Sequence, residues 1–346
     1  MTNEHAGPLV PSSPILGREL ARDDRDMAGP SQKLRSSGDL VVDRRLLYAR
    51  AAAAEGDHVV AAEVLEQTLP LAPTWAPLWL VLAESLEKLG RRSDAVAAYE
   101  RAEVLDSGGA LGVPMQLARI GALPAPRGAP ESYVRALFDD YADRFETHLT
   151  GALSYRGPEL LRRALERLGA TTFVKVIDLG CGTGLCGAEI RPMCQHLTGV
   201  DLSERMIDVA RAKNNYDRLV VGSNADFLYS ETAESTTLVL AADVLVYSGD
   251  LSPTFAAVRH VLAADGYFAF TLQRADSGTY RVGYDLRYAH AEPHIVEVAH
   301  DTGLQIVLLE EATTRTEAGQ SVRGFVGVAT RDDAILSIPA RPRATS

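Results

Sequence analysis

The second half of the chain alternates short apolar runs with segments in which apolar residues recur at helical spacing. The apolar runs predict strands at Phe173–Asp178, Leu197–Asp201, Arg218–Val221, Thr237–Ala242 and Gly266–Gln273. The intervening segments predict helices at Leu185–Cys194, Glu204–Asn214 and Pro253–Ala263. Such alternation is typical of an α/β fold, in which helices cover both faces of a doubly wound parallel sheet. The end of the chain predicts a helix and then a terminal antiparallel hairpin, at Glu292–Thr302, Gln305–Glu310 and Val322–Thr330.

An internal repeat precedes these strands. Similar residues recur 34 positions apart, at Ala49 and Ala83, Gly56 and Gly90, Ala61 and Ala95, and Leu71 and Leu105. With small residues where helices cross and glycine at the turn, the repeat resembles the tetratricopeptide repeat. The resemblance implies a small all-α domain over residues 39–122, with two repeats and a capping helix at Val113–Ile120.

Composition sets the remaining boundaries. Residues 1–38 are rich in Pro, Ser, Gly and charges without sustained periodicity, which predicts a disordered segment. The proline-rich stretch 123–131 predicts a linker. Beyond it, apolar residues step by four from Tyr133 to Leu149 opposite an acidic face, so an amphipathic helix is expected at the start of region 132–170. The sheet domain then spans 171–331, and 332–346 is predicted to be a flexible tail.

Charge, hydropathy and cysteine spacing exclude several functions. The net charge of −11 disfavours a nucleic-acid partner. Because no apolar run approaches the roughly 20 residues that span a bilayer, no membrane association is expected. The start lacks a signal-peptide pattern, so a cytoplasmic protein is expected. Cys181, Cys186 and Cys194 match no metal-binding spacing, and no metal is predicted.

Three alternating glycines follow the first predicted strand. The segment Val174–Gly184 reads V-K-V-I-D-L-G-C-G-T-G, with Asp178 before Gly180, Gly182 and Gly184. Glycine at alternate positions lets the backbone turn sharply and approach a ligand closely. The dinucleotide fingerprint needs its third glycine at position 185, which is leucine, and no phosphate-binding loop motif is present. The motif therefore predicts a ligand other than NAD.

With Asp201 ending the next strand, the motif resembles that of class I S-adenosylmethionine-dependent methyltransferases. The resemblance covers about Tyr133 to Arg331. It implies a Rossmann-like seven-stranded sheet with a terminal hairpin, S-adenosylmethionine as cofactor, and Asp178 and the glycines at its amino-acid end. An acid capping a helix is the structural alternative for Asp178.

Three further residues are predicted to bind the cofactor. Asp201, followed by Leu202, can accept two charge-assisted hydrogen bonds from ribose hydroxyls, although it can also cap the next helix. Related enzymes usually place an acid after the glycine that follows the third strand, and Ser223 stands there in this sequence. Asn224, through its carbonyl, or Asp226 can replace that acid at the adenine, and simple turn chemistry is the alternative.

The acceptor side carries weaker signals. Asp243 ends the fourth predicted strand in an apolar setting, where an unpaired buried charge is costly, so we expect it to face the ligand crevice. An acid in a structural network of side chains is the alternative. Tyr247 on the following loop and Tyr141 on the helix that resembles a lid are candidate substrate-binding residues. His290, in a predicted substrate loop after the fifth strand, is a candidate general base, as is Asp243.

These features predict a methyltransferase that acts on an oxygen or nitrogen nucleophile of a small metabolite, with specialised metabolism as one setting. One alternative is methylation of a protein or carrier-bound substrate recruited by the repeats. Another is a non-catalytic interaction scaffold that retains an S-adenosylmethionine-binding domain.

Overall fold

The computed structural model describes residues 36–142, Phe145, 155–317 and 320–333. The segments predicted to be disordered at the start and flexible at the end therefore lie almost wholly outside the described residues, as does Leu149 of the predicted amphipathic helix. The chain divides into two compact units. One contains the residues up to Pro126 together with Val282–Leu286, and the other contains Arg127–Arg281 and the residues from Arg287 onwards.

The first unit is helical. Its helices are α1 (Leu40–Ala54), α2 (His58–Thr68), α3 (Ala76–Lys88), α4 (Arg92–Leu105) and α5 (Val113–Arg119). The ends of α1 and α3 differ by the period of the sequence repeat, and so do the starts of α2 and α4. Gly56 and Gly90 adopt positive φ at the two equivalent turns, and Ala61 and Ala95 are buried where the helices cross. The two helical hairpins therefore follow the predicted repeat, and their assignment to the tetratricopeptide class stays a prediction.

The second unit is an α/β sandwich. Its strands are β1 (Phe173–Leu179), β2 (Cys194–Asp201), β3 (Arg218–Val221), β4 (Thr236–Ala241), β5 (Leu262–Arg274), β6 (Tyr280–Val282), β7 (Tyr288–His290), β8 (Leu304–Glu317) and β9 (Gln320–Arg331). Its helices are α6 (Glu131–Tyr141), α7 (Gly157–Arg167), α8 (Leu185–Ile190), α9 (Glu204–Ala212), α10 (Asn224–Ser230), α11 (Ser252–Val261) and α12 (Glu292–Asp301).

The strands form one mixed sheet. Strands β3, β2, β1, β4 and β5 run parallel in that order, and the antiparallel β9 and β8 continue the sheet beyond β5. Alternate residues of β1 point to opposite faces: Ile177 and Leu179 pack in one apolar cluster, whereas Val176 packs in another. Helices thus bury both faces, as predicted for a parallel sheet.

Two additional strands distinguish this sheet from the seven-stranded prediction. Residues Gln273 and Arg274 of β5 pair in parallel with β7, and β6 lies beside β7. One edge of β5 pairs with β9 as far as Gln273, so β7 must pair with the opposite edge. That opposite edge pairs with β4 up to Phe270, and β7 follows β4 along it. The described sheet therefore has nine strands, and the predicted substrate loop after β5 contains β7.

Some helix boundaries also differ from the prediction. The helix expected to reach Cys194 ends at Ile190, because Pro192 lies in a short 3₁₀ turn and Cys194 already begins β2. Helix α10 was not predicted; it has only two turns, and Ser223 is its N-terminal flanking residue. Helix α6 is described from Glu131 to Tyr141, shorter than the predicted span.

Candidate active site

The glycine loop joins β1 to α8 at the carboxyl end of the sheet. Gly180, Gly182 and Gly184 all have positive φ, at 55°, 54° and 89°. Residues with a Cβ atom rarely adopt positive φ, whereas glycine does so readily. Gly180 is also confined sterically, since a Cβ atom there would lie 2.5 Å from Cγ2 of Val244. The loop therefore needs glycine for its backbone shape and for its packing.

Asp201 closes this loop from the end of the adjacent strand. Its Oδ2 accepts a hydrogen bond from the Gly182 amide at 2.9 Å, and its Oδ1 accepts one from the Ser203 amide at 2.8 Å. Burial raises the pKa of Asp201, and the backbone hydrogen bonds oppose that rise. The cap of α9 is Ser203, whose hydroxyl accepts from the Met206 amide. Asp201 is therefore not the capping residue, and its carboxylate, with about four lone pairs for three backbone amides, can still accept from a ligand hydroxyl.

Asp178 lies almost fully buried beneath the loop. Its Oδ2 accepts a hydrogen bond from the Tyr216 hydroxyl at 2.7 Å, and the same hydroxyl oxygen accepts from the Gly187 amide at 3.1 Å. Burial raises the pKa of Asp178 to about 7. The structural alternative is not observed, since Gly184 is the N-terminal flanking residue of α8 and makes no side-chain cap.

Tyr216 is a residue that the sequence analysis missed. Its ring fills the space left by two glycines outside the motif: a Cβ atom at Gly187 would lie 2.3 Å from the ring and its hydroxyl, and one at Gly199 would lie 2.8 Å from the ring. Gly187 and Gly199 are visible in the sequence, but nothing local to either one points to position 216. Tyr216 connects Asp178 to the first turn of α8.

Leu202 and Asn224 border the same site. The carbonyl oxygen of Leu202 accepts from Nε of Arg135 at 3.3 Å, and Oδ1 of Asn224 accepts from the Gly180 amide at 3.3 Å. The Asn224 oxygen expected to meet adenine is therefore already used by the glycine loop, with one further lone pair available. Its adenine role stays a prediction.

Aromatic side chains cover the loop. Phe138 of α6 packs edge-on against Tyr247 at 5.6 Å between ring centroids and against Phe145 at 6.0 Å, and Tyr141 packs against Phe145 at 5.4 Å. The Phe145 ring lies 3.5 Å from the position that a Cβ atom on Gly182 would take. Helix α6 is attached nearby, because the Ser203 hydroxyl donates to Asp139 at 2.6 Å. The predicted candidates Tyr141 and Tyr247 therefore belong to one aromatic cluster at the glycine loop.

The linker fixes the loop that carries Tyr247. The Ala129 amide donates to the Tyr247 carbonyl at 2.9 Å, and the amides of Gly249 and Asp250 donate to the Arg127 carbonyl. An ion pair between Arg127 and Asp250 joins the same two segments. The proline-rich stretch thus adds backbone hydrogen bonds to the acceptor-side loop.

Asp243 lies at the end of β4, in the predicted place. It adopts positive φ, 61°, and its amide donates to the Thr271 hydroxyl at 2.8 Å. Two guanidinium groups contact its Oδ2, Arg315 at 3.2 Å and Arg287 at 3.4 Å. The side chain of Arg315 is 1% exposed. The cost of a charge in an apolar setting is therefore met by ion pairing, as in the alternative of a structural network acid.

His290 lies in β7 rather than in a loop. It is fully buried, and its Nε2 hydrogen-bonds to the Gly249 carbonyl at 2.9 Å, so Nε2 carries the proton and Nδ1 has a lone pair. Burial lowers the pKa of His290 to about 4. Its ring stacks on His294 at 6.5 Å. With no exposed surface, His290 cannot receive a proton from an acceptor in this conformation, so the geometry does not favour its expected role as base.

The same described ranges contain neither a metal-ligand cluster nor a membrane-spanning helix. No group of three or more His, Cys, Asp or Glu residues is placed to hold a metal ion there. No described helix is long and apolar enough to cross a membrane. Burial raises the pKa values of the Cys181 and Cys186 thiols well above their usual range.

The fold and the site together define a class. Parallel strands in this order, a glycine loop after β1 and a carboxylate at the end of β2 form the nucleoside-cofactor crevice of a doubly wound domain. The family model described as a methyltransferase domain matches residues 177–270, which include both features. The α/β unit therefore contains a methyltransferase domain, and the relatives that it resembles include S-adenosylmethionine-dependent enzymes.

Individual relatives match shorter stretches. The chain is 30% identical over 100 residues to "Probable S-adenosylmethionine-dependent methyltransferase CRG1" of Saccharomyces cerevisiae, covering 28% of this chain and 34% of that protein. It is 27% identical over 120 residues to malonyl-[acyl-carrier protein] O-methyltransferase of Bacillus anthracis, covering 32% and 42%. The chain thus spans about a third to two fifths of the length of these relatives.

Among solved structures, the fold is similar to 1,6-didemethyltoxoflavin-N1-methyltransferase of Burkholderia thailandensis. The TM-score is 0.47 with 20% sequence identity, covering 61% of this chain and 94% of that one.

The residues at the site fit S-adenosylmethionine. The glycine loop presents bare backbone, and Thr183 within it is buried with a hydroxyl that has no hydrogen-bond partner among the described residues. Asp178 and Asp201 carry carboxylates, the groups that would pair with an ammonium group and with ribose hydroxyls. No phosphate-binding element is needed, because this cofactor has no phosphate.

Proposed function

We propose that the protein transfers a methyl group from S-adenosylmethionine to an oxygen or nitrogen nucleophile of a small metabolite. The observation that carries the proposal is the pairing of a positive-φ glycine loop with Asp201, whose carboxylate bonds the Gly182 amide. The same loop is covered by aromatic rings, which would exclude water from a small acceptor.

The cofactor supplies a methyl group already activated by positive sulfur, so the protein mainly aligns the reactants. In our proposal Asp178 holds the ammonium end, Gly180, Gly182 and Gly184 admit the amino-acid backbone, and Asp201 binds the ribose. Leu202 and Asn224 border the nucleoside.

On the acceptor side, the aromatic cluster with Tyr141 and Tyr247 holds the acceptor. The methyl–sulfur bond breaks with its electron pair left on sulfur, and a methyl–oxygen or methyl–nitrogen bond forms. Asp243 receives the acceptor proton. We propose Asp243 rather than His290 because Asp243 keeps partial exposure at the strand end, whereas His290 has none.

Two measurements test this proposal. Calorimetry with S-adenosylhomocysteine should show binding, and its absence would contradict the cofactor assignment. Metabolite profiling by mass spectrometry, comparing cells with and without the gene, should show a product heavier than its precursor by one CH₂ group. With that acceptor, Asp243→Asn should lower turnover about 10³-fold while S-adenosylhomocysteine affinity stays within about twofold. Asp276→Asn, an exposed acid in another ion pair, is the matched control.

A second candidate is methylation of a protein or carrier-bound substrate. The observation that favours it is the helical unit, whose hairpins repeat with the period of a tetratricopeptide-like interaction module. Methylation of a macromolecule in lysate, detected as transfer of radiolabelled methyl to a protein band, with no methylated small product, would favour this alternative.

A further inference from the structure

The first helical hairpin has a groove on its surface between α1 and α2. The groove has a volume of about 400 Å³ and is lined by Val41, Arg44, Arg45, Tyr48, Val64 and Gln67. Val41 is 54% exposed and Tyr48 is 60% exposed, so apolar surface reaches solvent there. We call this set of lining residues the open face.

The internal repeat shows what covers the equivalent face of the second hairpin. The residues that follow Val41, Arg44, Arg45, Tyr48 and Val64 by 34 positions are Trp75, Leu78, Trp79, Leu82 and Ala98. Leu78, Leu82 and Ala98 are buried, and α3 contacts both α1 and α2. This face of the second hairpin is therefore the one against which the first hairpin packs. By the same geometry, the open face is placed to contact a further helix.

Two differences between the repeats indicate the chemistry of that helix. Where the second hairpin has Leu78 and Trp79, the first has Arg44 and Arg45. Both arginines are exposed, and neither forms an ion pair with any residue in the described ranges. They form a basic pair in a chain whose net charge is −11. A helix that covers the apolar part of the open face can pair its own carboxylates with these two guanidinium groups.

A solubilising cap explains the open face less well. The terminal unit of a helical repeat usually has a polar outer face, whereas Val41, Tyr48 and Val64 make this one partly apolar. The sequence before α1 offers no third hairpin either, because Pro8, Pro11 and Pro14 fall where its first helix would lie. The occupant is therefore sought outside this chain.

We propose that the open face binds an amphipathic helix of another protein, with Asp or Glu flanking the apolar stripe of that helix. Apolar side chains of the partner cover Val41 and Tyr48, and its carboxylates pair with Arg44 and Arg45. The inference concerns the helical unit alone and does not depend on the proposed methyl transfer.

The test uses the full chain and fluorescent helical peptides of about 15 residues, stapled because free peptides of this length are marginally helical. Acidic probes carry Leu along one stripe and Glu three or four positions after each Leu. A basic probe has Lys in place of Glu, and a polar probe has Ser in place of Leu. Fluorescence anisotropy should show at least one acidic probe binding about tenfold or more tightly than both others. Its preference over the basic probe should shrink as salt is raised.

Substitutions in the open face locate the binding. Arg44→Glu and Arg45→Glu should each reduce the affinity for the acidic probe at least about fivefold, and Tyr48→Ser should reduce it about tenfold. Arg101→Glu and Val104→Ser are the matched controls, because they introduce the same residues at exposed positions of α4.

The proposal is wrong if no acidic probe outbinds both others, or if binding survives the combined change of Arg44 and Arg45 to Glu. Three other results would assign the open face to a different occupant and overturn it. A dimer in sedimentation velocity that Arg44→Glu dissociates would indicate a second copy of this chain. Probe binding that appears only after removal of residues 1–35 would indicate that segment. Tighter binding to phosphatidylserine vesicles than to every peptide would indicate a membrane surface.

Discussion

The cofactor end and the acceptor end of the α/β unit are built differently. At the proposed cofactor end, backbone amides donate to the side-chain oxygens of Asp201 and Asn224, and the residues from Asp178 to Asn224 come from one continuous part of the chain. At the proposed acceptor end, Asp243, Arg287 and Arg315 come from three separate elements and meet through side-chain ion pairs. A site made of backbone leaves a motif in the sequence, whereas a site made of converging side chains does not.

The largest effect in this comparison is expected from a substitution of Asp201. Asp201→Ala should weaken S-adenosylhomocysteine binding about 100-fold, because it removes two hydrogen bonds to a charged group and leaves the Gly182 amide without its acceptor. Isothermal titration measures the effect. Asp208→Ala, at an exposed acid on the following helix, should leave affinity unchanged. Equal affinity of the Asp201 variant and the native protein would show that the backbone loop binds without this carboxylate.

The pH dependence of binding tests Asp178. Since burial raises its pKa to about 7, the carboxyl is largely neutral at pH 6 and charged at pH 8. Affinity for S-adenosylhomocysteine, which brings an ammonium group, should therefore rise about tenfold between these values. The stability of the free protein should change in the opposite direction, since the neutral form favours the fold and that contribution is lost as the pH rises towards 7.

Asp178→Asn provides the comparison for that titration. Asparagine cannot ionise, so its affinity should be low and nearly constant over the same range. A rise in affinity that persists in this variant would assign the pH dependence to another group.

Tyr216 tests whether the cofactor end depends on a residue outside the motif. Tyr216→Phe keeps the ring that fills the space beside Gly187 and Gly199 but removes the hydroxyl between Asp178 and the Gly187 amide. S-Adenosylhomocysteine affinity should fall about fivefold, the effect of one hydrogen bond. Tyr229→Phe, at an exposed tyrosine, is the control. No change in affinity would restrict Tyr216 to packing.

His290 should give the smallest effect on turnover. His290→Asn should leave turnover within about twofold, because the ring bonds a backbone carbonyl and lies away from solvent. A large loss of turnover with unchanged cofactor affinity would restore its role as base.

The His290→Asn variant should also differ from the native protein in how its stability against unfolding depends on pH. The pKa of His290 is lowered to about 4, so the neutral ring stabilises the fold above about pH 6.5, and this contribution is lost as the pH falls towards 4. Denaturant unfolding of His290→Asn should therefore show a shallower loss of stability over that range than the native protein.

The sequence predicted the proposed cofactor end of the site better than the proposed acceptor end. The positions of the parallel strands, the glycine loop and the position of Asp201 depend on local periodicity and on φ preferences, and all were predictable. Arg315 lies in a strand whose pattern gives no sign of a buried charge, and its partner is 72 positions away. His290 was placed in a loop because β7 has only three residues and pairs with β5 over two of them. Long-range pairing of this kind has no signature in a single sequence.

The contact of Tyr216 with two glycines links three positions far apart in the chain. A Cβ atom at position 187 would meet only the tyrosine ring and hydroxyl among its three nearest atoms, whereas one at position 199 would also lie 2.9 Å from Cys181 and Leu219. In a library that randomises positions 187 and 216, alanine or serine at 187 should survive selection together with a small residue at 216 and be lost beside tyrosine. These two sites would then mutate as a pair, and their joint frequencies would measure the contact without a structure.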